Sequence, residues 1–226
     1  ATIANAISQS SESDLKKYLD EDFIFVPYCR PGFTLTMEIK KLILPSTNIL
    51  ILENHGLIVA GDDIEDTYKL LLKIHKKLDL IRNEKLAFDY SEKITNIDGY
   101  IHKNTDKYNL FSTQNEKLFS LFPKSFYPDH VIFLGPGIPT FLEEKEANEF
   151  IQNLKRKNID LPPYLILKYK GLFENTLAIP AAKEMIDCFL EVLLRIDLSK
   201  SLKFLSSQQE SELLNWDIEI YRQSIN

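Results

Sequence analysis

The distribution of hydrophobic and polar residues divides the chain into short apolar runs and longer amphipathic stretches. Short runs rich in β-branched and aromatic residues are typical of buried strands, whereas helical spacing of apolar residues is typical of helices. Strands are predicted at 23–26, 49–52, 57–60, 131–134 and 164–167, with a short return at 172–173. Helices are predicted at 15–19, 34–44, 64–88, 116–122, 143–157, 178–196 and 207–224. This alternation predicts an α/β protein of the layered kind.

The most informative stretch is the polar tripeptide Asn54-His55-Gly56, which separates two apolar runs. It predicts a tight turn between two buried strands. A histidine at a strand end lies on a rigid scaffold, where binding and catalytic groups are commonly presented. The alternative is a turn histidine that only stabilises its own hairpin. Whether His55 binds a metal therefore decides the function.

The longest predicted helix begins just after Asp62, with acidic residues in its first turn, as the helix dipole favours. Its apolar stripe consists of Ile64, Tyr68, Leu71, His75 and Leu78. Because His75 lies within that stripe, we interpret it as a packed or partner-facing residue rather than a ligand.

Composition and charge exclude several classes of function. The chain has 226 residues, of which 44% are hydrophobic, and its net charge is −6. An acidic chain gives no electrostatic reason to expect binding to nucleic acid or to a membrane surface. Cys29 and Cys188 are too few for a disulfide framework or a cysteine-built zinc site, so a reducing, cytoplasmic setting is expected. No apolar run reaches transmembrane length.

Most sequence motifs that carry chemistry are missing. The chain has no Walker loop and no Gly-x-Ser-x-Gly elbow, and Gly135-Pro136-Gly137 lacks the third glycine of a dinucleotide fingerprint. No two histidines have the His-x-His or His-x-x-x-His spacing. The sequence therefore contains no self-sufficient local zinc site.

An ordered set of motifs resembles the class II aldolase/adducin family over residues 1–88. The set comprises Val26-Pro27-Tyr28, Pro31-Gly32, the stretch 52–61 around His55, and the acidic-capped helix that follows. The resemblance implies a three-layer α/β/α sandwich around a mainly antiparallel sheet. It also implies a homotetramer, or another homo-oligomer with sites at subunit interfaces.

The resemblance also implies a metal-dependent reaction. Aldolases of this family hold Zn2+ or a related divalent metal with three histidines, one of which lies in an Asn-His-Gly turn and matches His55, with Asn54 and Gly56 as supporting residues. The metal acts as a Lewis acid in retro-aldol cleavage of a sugar or sugar phosphate. The other two histidines form a His-x-His pair before a small-residue helix, which residues 1–6 resemble. This chain is therefore expected to begin after the pair and to carry an incomplete metal site.

Tyr28 matches a tyrosine that assists proton transfer to the aldehyde product in sugar-phosphate aldolases of this family. A phenol can deliver a proton when it is held within hydrogen-bond reach. The alternative is a loop tyrosine that packs over the sheet.

The polar segment 89–115 is predicted to connect residues 1–88 to a smaller α/β extension, 116–226, which resembles that of larger bacterial members. Asp129 and His130 precede a predicted strand there. His130 is either a carboxylate-oriented histidine near the substrate or the start of a buried strand. Trp216, Tyr221 and Arg222 are expected to anchor the last helix.

Three hypotheses about function remain. The first is a class II aldolase-like enzyme, and the second is a non-catalytic, adducin-like scaffold or interaction protein. The third is a dehydrogenase, since some larger relatives carry a fused dehydrogenase domain, although this chain has no glycine fingerprint for a dinucleotide.

Overall fold

The computed structural model describes residues 2–4, 15–88, 96–217 and 221. Its elements in chain order are β1 (Ile24–Val26), α1 (Phe33–Leu42), β2 (Ile49–Leu52), β3 (Gly56–Val59), α2 (Ile64–Leu78), β4 (Tyr100–His102), α3 (Glu116–Phe119), α4 (Pro128–Leu134), β5 (Thr140–Phe141), α5 (Glu144–Arg156), β6 (Tyr164–Leu167), β7 (Gly171–Asn175), α6 (Pro180–Arg195) and α7 (Ser207–Leu214). Short 3-10 helices occupy Glu84–Leu86 and Asp106–Ser112. Within these ranges no helix is long and apolar enough to cross a membrane.

The first sheet has the strand order β1-β2-β3, with β2 parallel to β1 and antiparallel to β3. All four residues of β2 are buried, as expected for a strand covered on both faces. Ile51 packs with Ile74 and Leu78 of α2, whereas Leu50 faces the cluster that includes Ile39 of α1. The sheet is therefore the middle layer between two helices.

The second sheet has the order β4-β7-β6-β5, antiparallel except for the β5–β6 pair. Leu165 of β6 packs with Ile151 of α5, and Ile166 packs in the largest core cluster with Phe189 of α6. Alternate residues of β6 thus face opposite helices, as the period of a strand requires. The predicted mixed α/β fold with helices on its sheets is confirmed.

The described part of the predicted connecting segment 89–115 lies in the second sheet and its core. Tyr100 of β4 pairs with Asn175 of β7, and Phe111 of the second 3-10 helix is fully buried in the largest core cluster. Ala4 and Leu86 also pack in that cluster. The division at residues 88 and 116 stays a prediction.

The strand predicted at 131–134 is wrong, because these residues form helix α4. Pro128 occupies its first turn, where proline is tolerated, and Gly135 ends it with a φ of 92°. The helix is buried between α6 and α7, so it lacks a polar face. A helix covered on all sides shows no amphipathic period and resembles a buried strand in sequence.

Helix α2 ends at Leu78 and not near residue 88, because the following residues bind the end of α6. The backbone N–H groups of Arg82 and Asn83 donate to the Leu194 carbonyl over 2.8 and 3.0 Å. The Asn83 side-chain amide donates to the carbonyls of Leu193 and Ile196 over 2.7 and 2.9 Å. These bonds satisfy carbonyls that the end of a helix leaves without partners.

The apolar stripe predicted on α2 is buried only at its carboxyl end. Ile64 is 89%, Tyr68 57% and Leu71 37% exposed, whereas Leu78 is buried. His75 is exposed as well, so it is not packed within the described part of this chain, and its partner-facing alternative stays a prediction. These side chains form an exposed apolar face on α2.

The predicted start of α6 also differs. Helix α6 begins at Pro180, two residues later than predicted, and its N-cap residue Ile179 makes no side-chain cap hydrogen bond. Helix α7 begins at Ser207, as predicted, and Ser206 and Gln209 form its capping box.

Replacing Asn83 with Ala should lower the free energy of unfolding by about 1–3 kcal/mol, since two buried carbonyls lose their donor. Asn153→Ala, an exposed position on α5, is the matched control and should change it by less than about 0.5 kcal/mol. Urea unfolding followed by circular dichroism measures both. Equal stabilities of the two variants would contradict the capping role of Asn83.

Candidate functional site

The turn between β2 and β3 consists of Glu53, Asn54 and His55, because Leu52 pairs directly with Gly56. The His55 N–H donates to the Leu52 carbonyl over 3.2 Å. Asn54 has a φ of 54°, a left-handed conformation that asparagine tolerates better than most residues. The tight turn predicted from the sequence is confirmed.

Asn54 connects this turn to two segments of the C-terminal part of the chain, by which we mean residues 96–217. It is only 2% exposed, and its side-chain amide donates to the carbonyls of Phe126 and Lys203, both over 2.9 Å. Both amide hydrogens are therefore used in bonds to residues far away in the sequence. These bonds hold the turn in place, and the role of Asn54 as a supporting residue of a metal site stays a prediction.

Glu53 is a site residue that the sequence analysis missed. Its buried carboxylate accepts a hydrogen bond from the Tyr28 backbone N–H over 3.0 Å and forms an ion pair with Lys203. Its own N–H donates to the Val26 carbonyl over 2.9 Å. The available signal was a carboxylate placed directly after a wholly apolar strand. Glu53 thus ties the turn to the Tyr28 loop and to Lys203.

His55 is half-buried, and its Nδ1 atom is buried without a hydrogen-bond partner among the described residues. Burial lowers the pKa of His55, and the nearby Asp129 carboxylate opposes that change. The net effect favours the neutral imidazole, which is the form that binds a metal.

A cavity of about 80 Å³ brings His55 together with Asp129. His55, Tyr127, Asp129 and Cys188 supply its polar lining, and Ile3, Pro128 and Met185 supply its apolar lining. The Tyr127 hydroxyl is also buried and has no hydrogen-bond partner within geometric limits among the described residues. Burial raises the pKa of Tyr127 well above its usual value, with smaller contributions from the neighbouring Cys188 and Asp129. Tyr127 and Cys188 were missed by the sequence analysis, since no local pattern marks either of them.

Tyr28 does not line the cavity of His55. Tyr28 packs against the cluster that includes Val131 of α4 and Leu213 of α7, and its hydroxyl is buried without a partner among the described residues. Burial, with a smaller contribution from Glu212, raises the pKa of Tyr28 to about 12. The hydroxyl therefore stays protonated at neutral pH, and its catalytic role stays a prediction.

The loop after Tyr28 is held by Trp216. A side chain on Gly32 would approach the Trp216 ring to 2.9 Å, and the Arg30 guanidinium lies 5.3 Å from the centre of that ring. The predicted anchoring role of Trp216 is confirmed by these contacts. Tyr221 is exposed, and Arg222 lies outside the described residues.

His130 lies in an aromatic core and not in the cavity. It is fully buried, and both of its ring nitrogens lack hydrogen-bond partners among the described residues. The rings of Phe126 and Phe189 lie 6.1 and 4.7 Å from it, centroid to centroid. Burial lowers the pKa of His130 to about 3. These contacts favour the structural interpretation of His130, whereas its neighbour Asp129 faces His55.

The described residues offer one imidazole that suits a metal but not a complete set of ligands. Within ranges 2–4, 15–88, 96–217 and residue 221, no three His, Cys, Asp or Glu side chains are placed to hold an ion together. Burial lowers the pKa of His55, which favours the neutral imidazole that binds metals, and the turn that carries His55 follows the buried strand β2. The described residues therefore do not fit a metal by themselves.

Asn54→Gly should lower the free energy of unfolding by about 2–4 kcal/mol, because two buried carbonyls lose their donor. Asn54→Ala should cost about 1 kcal/mol more, since alanine is strained at positive φ. Asn158→Gly is the matched control: Asn158 is exposed and has a φ of 52°. Urea titration compares them, and an Asn54→Gly variant as stable as Asn158→Gly would refute the connection.

His130→Phe should flatten the dependence of stability on pH between pH 6.5 and about pH 5. Because the pKa of His130 falls from 6.5 to about 3 on folding, its contribution is complete above pH 6.5. It is lost on acidification towards pH 3, with a limiting slope of about 1.4 kcal/mol per pH unit. His75→Gln, at an exposed position, is the control for removing one histidine. Identical slopes in the two variants would show that His130 is not kept neutral.

Comparison with known proteins places the His55 turn in a wider context. Residues 1–80 match the family model described as Class II Aldolase and Adducin N-terminal domain. A segment of 92 residues, 38% of this chain, is 30% identical to "Uncharacterized oxidoreductase YuxG" of Bacillus subtilis (strain 168). The match covers 13% of the length of that protein. No solved structure matches the chain significantly. The resemblance predicted from the sequence is confirmed, and residues 1–80 are similar to the class II aldolase and adducin N-terminal domain.

Proposed function

We propose that this chain is part of a class II aldolase-like enzyme that cleaves a sugar or sugar phosphate by retro-aldol chemistry with a divalent metal, in the first place Zn2+. The observation that carries the proposal is the position of His55. His55 lies in the segment that matches the family, on the turn after a buried strand. The two preceding residues of that turn form hydrogen bonds to distant segments: Asn54 bonds to Phe126, and Glu53 bonds to Tyr28. A turn that stabilised only its own hairpin would not need hydrogen bonds to residues far away in the sequence.

In this proposal His55 is one metal ligand, and its neutral imidazole is the form that binds. The remaining ligands lie outside the described residues. A divalent metal held by His55 and further ligands would supply Lewis-acid polarisation of a substrate carbonyl. Glu53 and Asn54 hold the turn, so that His55 keeps its position when substrate enters.

Tyr28 is the proposed proton donor. Its hydroxyl stays protonated at neutral pH because burial raises its pKa to about 12, and a donor must hold its proton until the product forms. The bond from its backbone N–H to Glu53 fixes the loop next to the strand that carries His55.

The alternative is a non-catalytic, adducin-like interaction protein. The exposed apolar face of α2 favours it, because large exposed apolar surfaces commonly mark sites of association. A homo-oligomer, with a tetramer favoured by the family resemblance, and a cytoplasmic location are part of both proposals. The match to the oxidoreductase covers only 13% of that relative, so a fused dehydrogenase is not part of either.

Replacing His55 with Gln should lower the affinity of the complete gene product for Zn2+ by at least about 100-fold, since a residue that binds the metal directly matters at least as much as the groups that hydrogen-bond to it. His75→Gln, at an exposed position on α2, should leave the affinity unchanged. Metal analysis after dialysis, followed by competition with a chelator, measures both variants.

The 226-residue chain by itself is expected to hold no stoichiometric zinc. Wild-type affinity in His55→Gln would refute the proposal that His55 is a ligand. A complete gene product that holds no divalent metal would favour the interaction protein.

A further inference from the structure

Two buried polar atoms belong to residues that line the same small cavity. The Nδ1 atom of His55 and the hydroxyl of Tyr127 have no hydrogen-bond partner among the described residues, and both residues line the 80 Å³ cavity. A buried polar group without a partner costs about 1–3 kcal/mol, so most such groups are paired with protein or with water. Two of them beside one cavity indicate a shared partner inside it.

The cavity has the size and lining that water requires. Water occupies about 30 Å³ in the liquid and needs two to four polar neighbours when it is buried. Besides His55 and Tyr127, the cavity offers the Asp129 carboxylate and the Cys188 thiol. A water molecule can therefore bridge the imidazole to groups of the C-terminal part.

The charge of Asp129 decides the direction of the hydrogen bonds. An ionised carboxylate only accepts hydrogen bonds, so a water bound to it donates one hydrogen and keeps its lone pairs for another donor. Asp129 also acts electrostatically on His55. A water that gave its second hydrogen to Nδ1 would leave the Nδ1 lone pair facing the negative carboxylate. The charge of Asp129 therefore favours the opposite arrangement, in which Nδ1–H of His55 donates to the water.

We propose that Asp129 and Tyr127 are positioning residues for His55, which hold its imidazole through cavity water in the tautomer protonated at Nδ1. This tautomer leaves the Nε2 lone pair available for a metal, and in that respect the inference rests on the proposed function. Both positioning residues lie outside the segment 1–80 that matches the family. Residues of the C-terminal part thereby set the tautomer of His55, which belongs to the N-terminal segment.

Long-range proton–nitrogen correlation spectra of the 15N-labelled chain test this directly. The chain has four histidines, so the ring signals of His55 can be assigned by substitution. At about pH 8, above the ordinary histidine pKa of about 6.5, wild-type His55 should show the Nδ1–H tautomer. In Asp129→Asn and in Tyr127→Phe the ratio of the Nδ1–H to the Nε2–H tautomer should fall roughly fivefold, as the loss of one hydrogen bond predicts.

Met185→Leu is the matched control, because it changes the cavity lining without changing a hydrogen-bonding group. Its His55 tautomer should equal that of the wild type. The half-buried ring of His102 and the buried ring of His130 report whether each variant keeps its fold.

Three results would overturn the inference: an Nε2–H tautomer in the wild type, unchanged His55 signals in both polar variants, or an equal change in Met185→Leu. None of these depends on metal. If the tautomer responds as expected while the complete gene product binds no metal, the positioning stands and the proposed function fails. If His55 binds metal but its tautomer does not respond to the Asp129 and Tyr127 substitutions, the positioning fails and the proposed function stands.

Discussion

The burial of the polar turn after β2 constrains the rest of the molecule. Glu53 and Asn54 are both removed from water, and polar groups in that position must find partners inside the protein. Their partners are the Tyr28 loop on one side, and Phe126 and Lys203 on the other. Separation of the first sheet from the C-terminal part would leave these groups unpaired. His55, which follows directly, therefore has a position set by both parts.

The same constraint explains the surroundings of His55. Because Asn54 draws the backbone at Phe126 against the turn, the next residues, Tyr127 and Asp129, line the cavity beside the imidazole. His130 then turns into the aromatic core and contributes to stability, not to the cavity. The Asn54-His55-Gly56 turn thus supplies one side of the candidate site, and the beginning of α4 supplies the other side.

Local patterns account for what could be predicted from the sequence. The hairpin around His55 and the helix predicted at 143–157 depend on neighbours within a few residues. Helix α4 was predicted as a strand because burial on all sides erases its period, although Pro128 and Gly135 mark its ends. The end of α2 depends on Asn83 and α6, and the neighbourhood of His55 and Asp129 depends on the long-range bonds of Asn54. No local sequence pattern predicts these contacts, because the partners are at least 72 residues apart in the chain.

We expect the turn to make the first sheet and the C-terminal helices one cooperative unit around His55. Trp216, the chain's single tryptophan, packs on Gly32 and reports the contact between the end of α7 and the loop that follows β1. Equilibrium unfolding in urea, followed by both Trp216 fluorescence and far-ultraviolet circular dichroism, measures this cooperativity. Coincident transitions with one midpoint are expected. Two separate transitions, with the fluorescence change preceding the loss of secondary structure, would contradict this expectation.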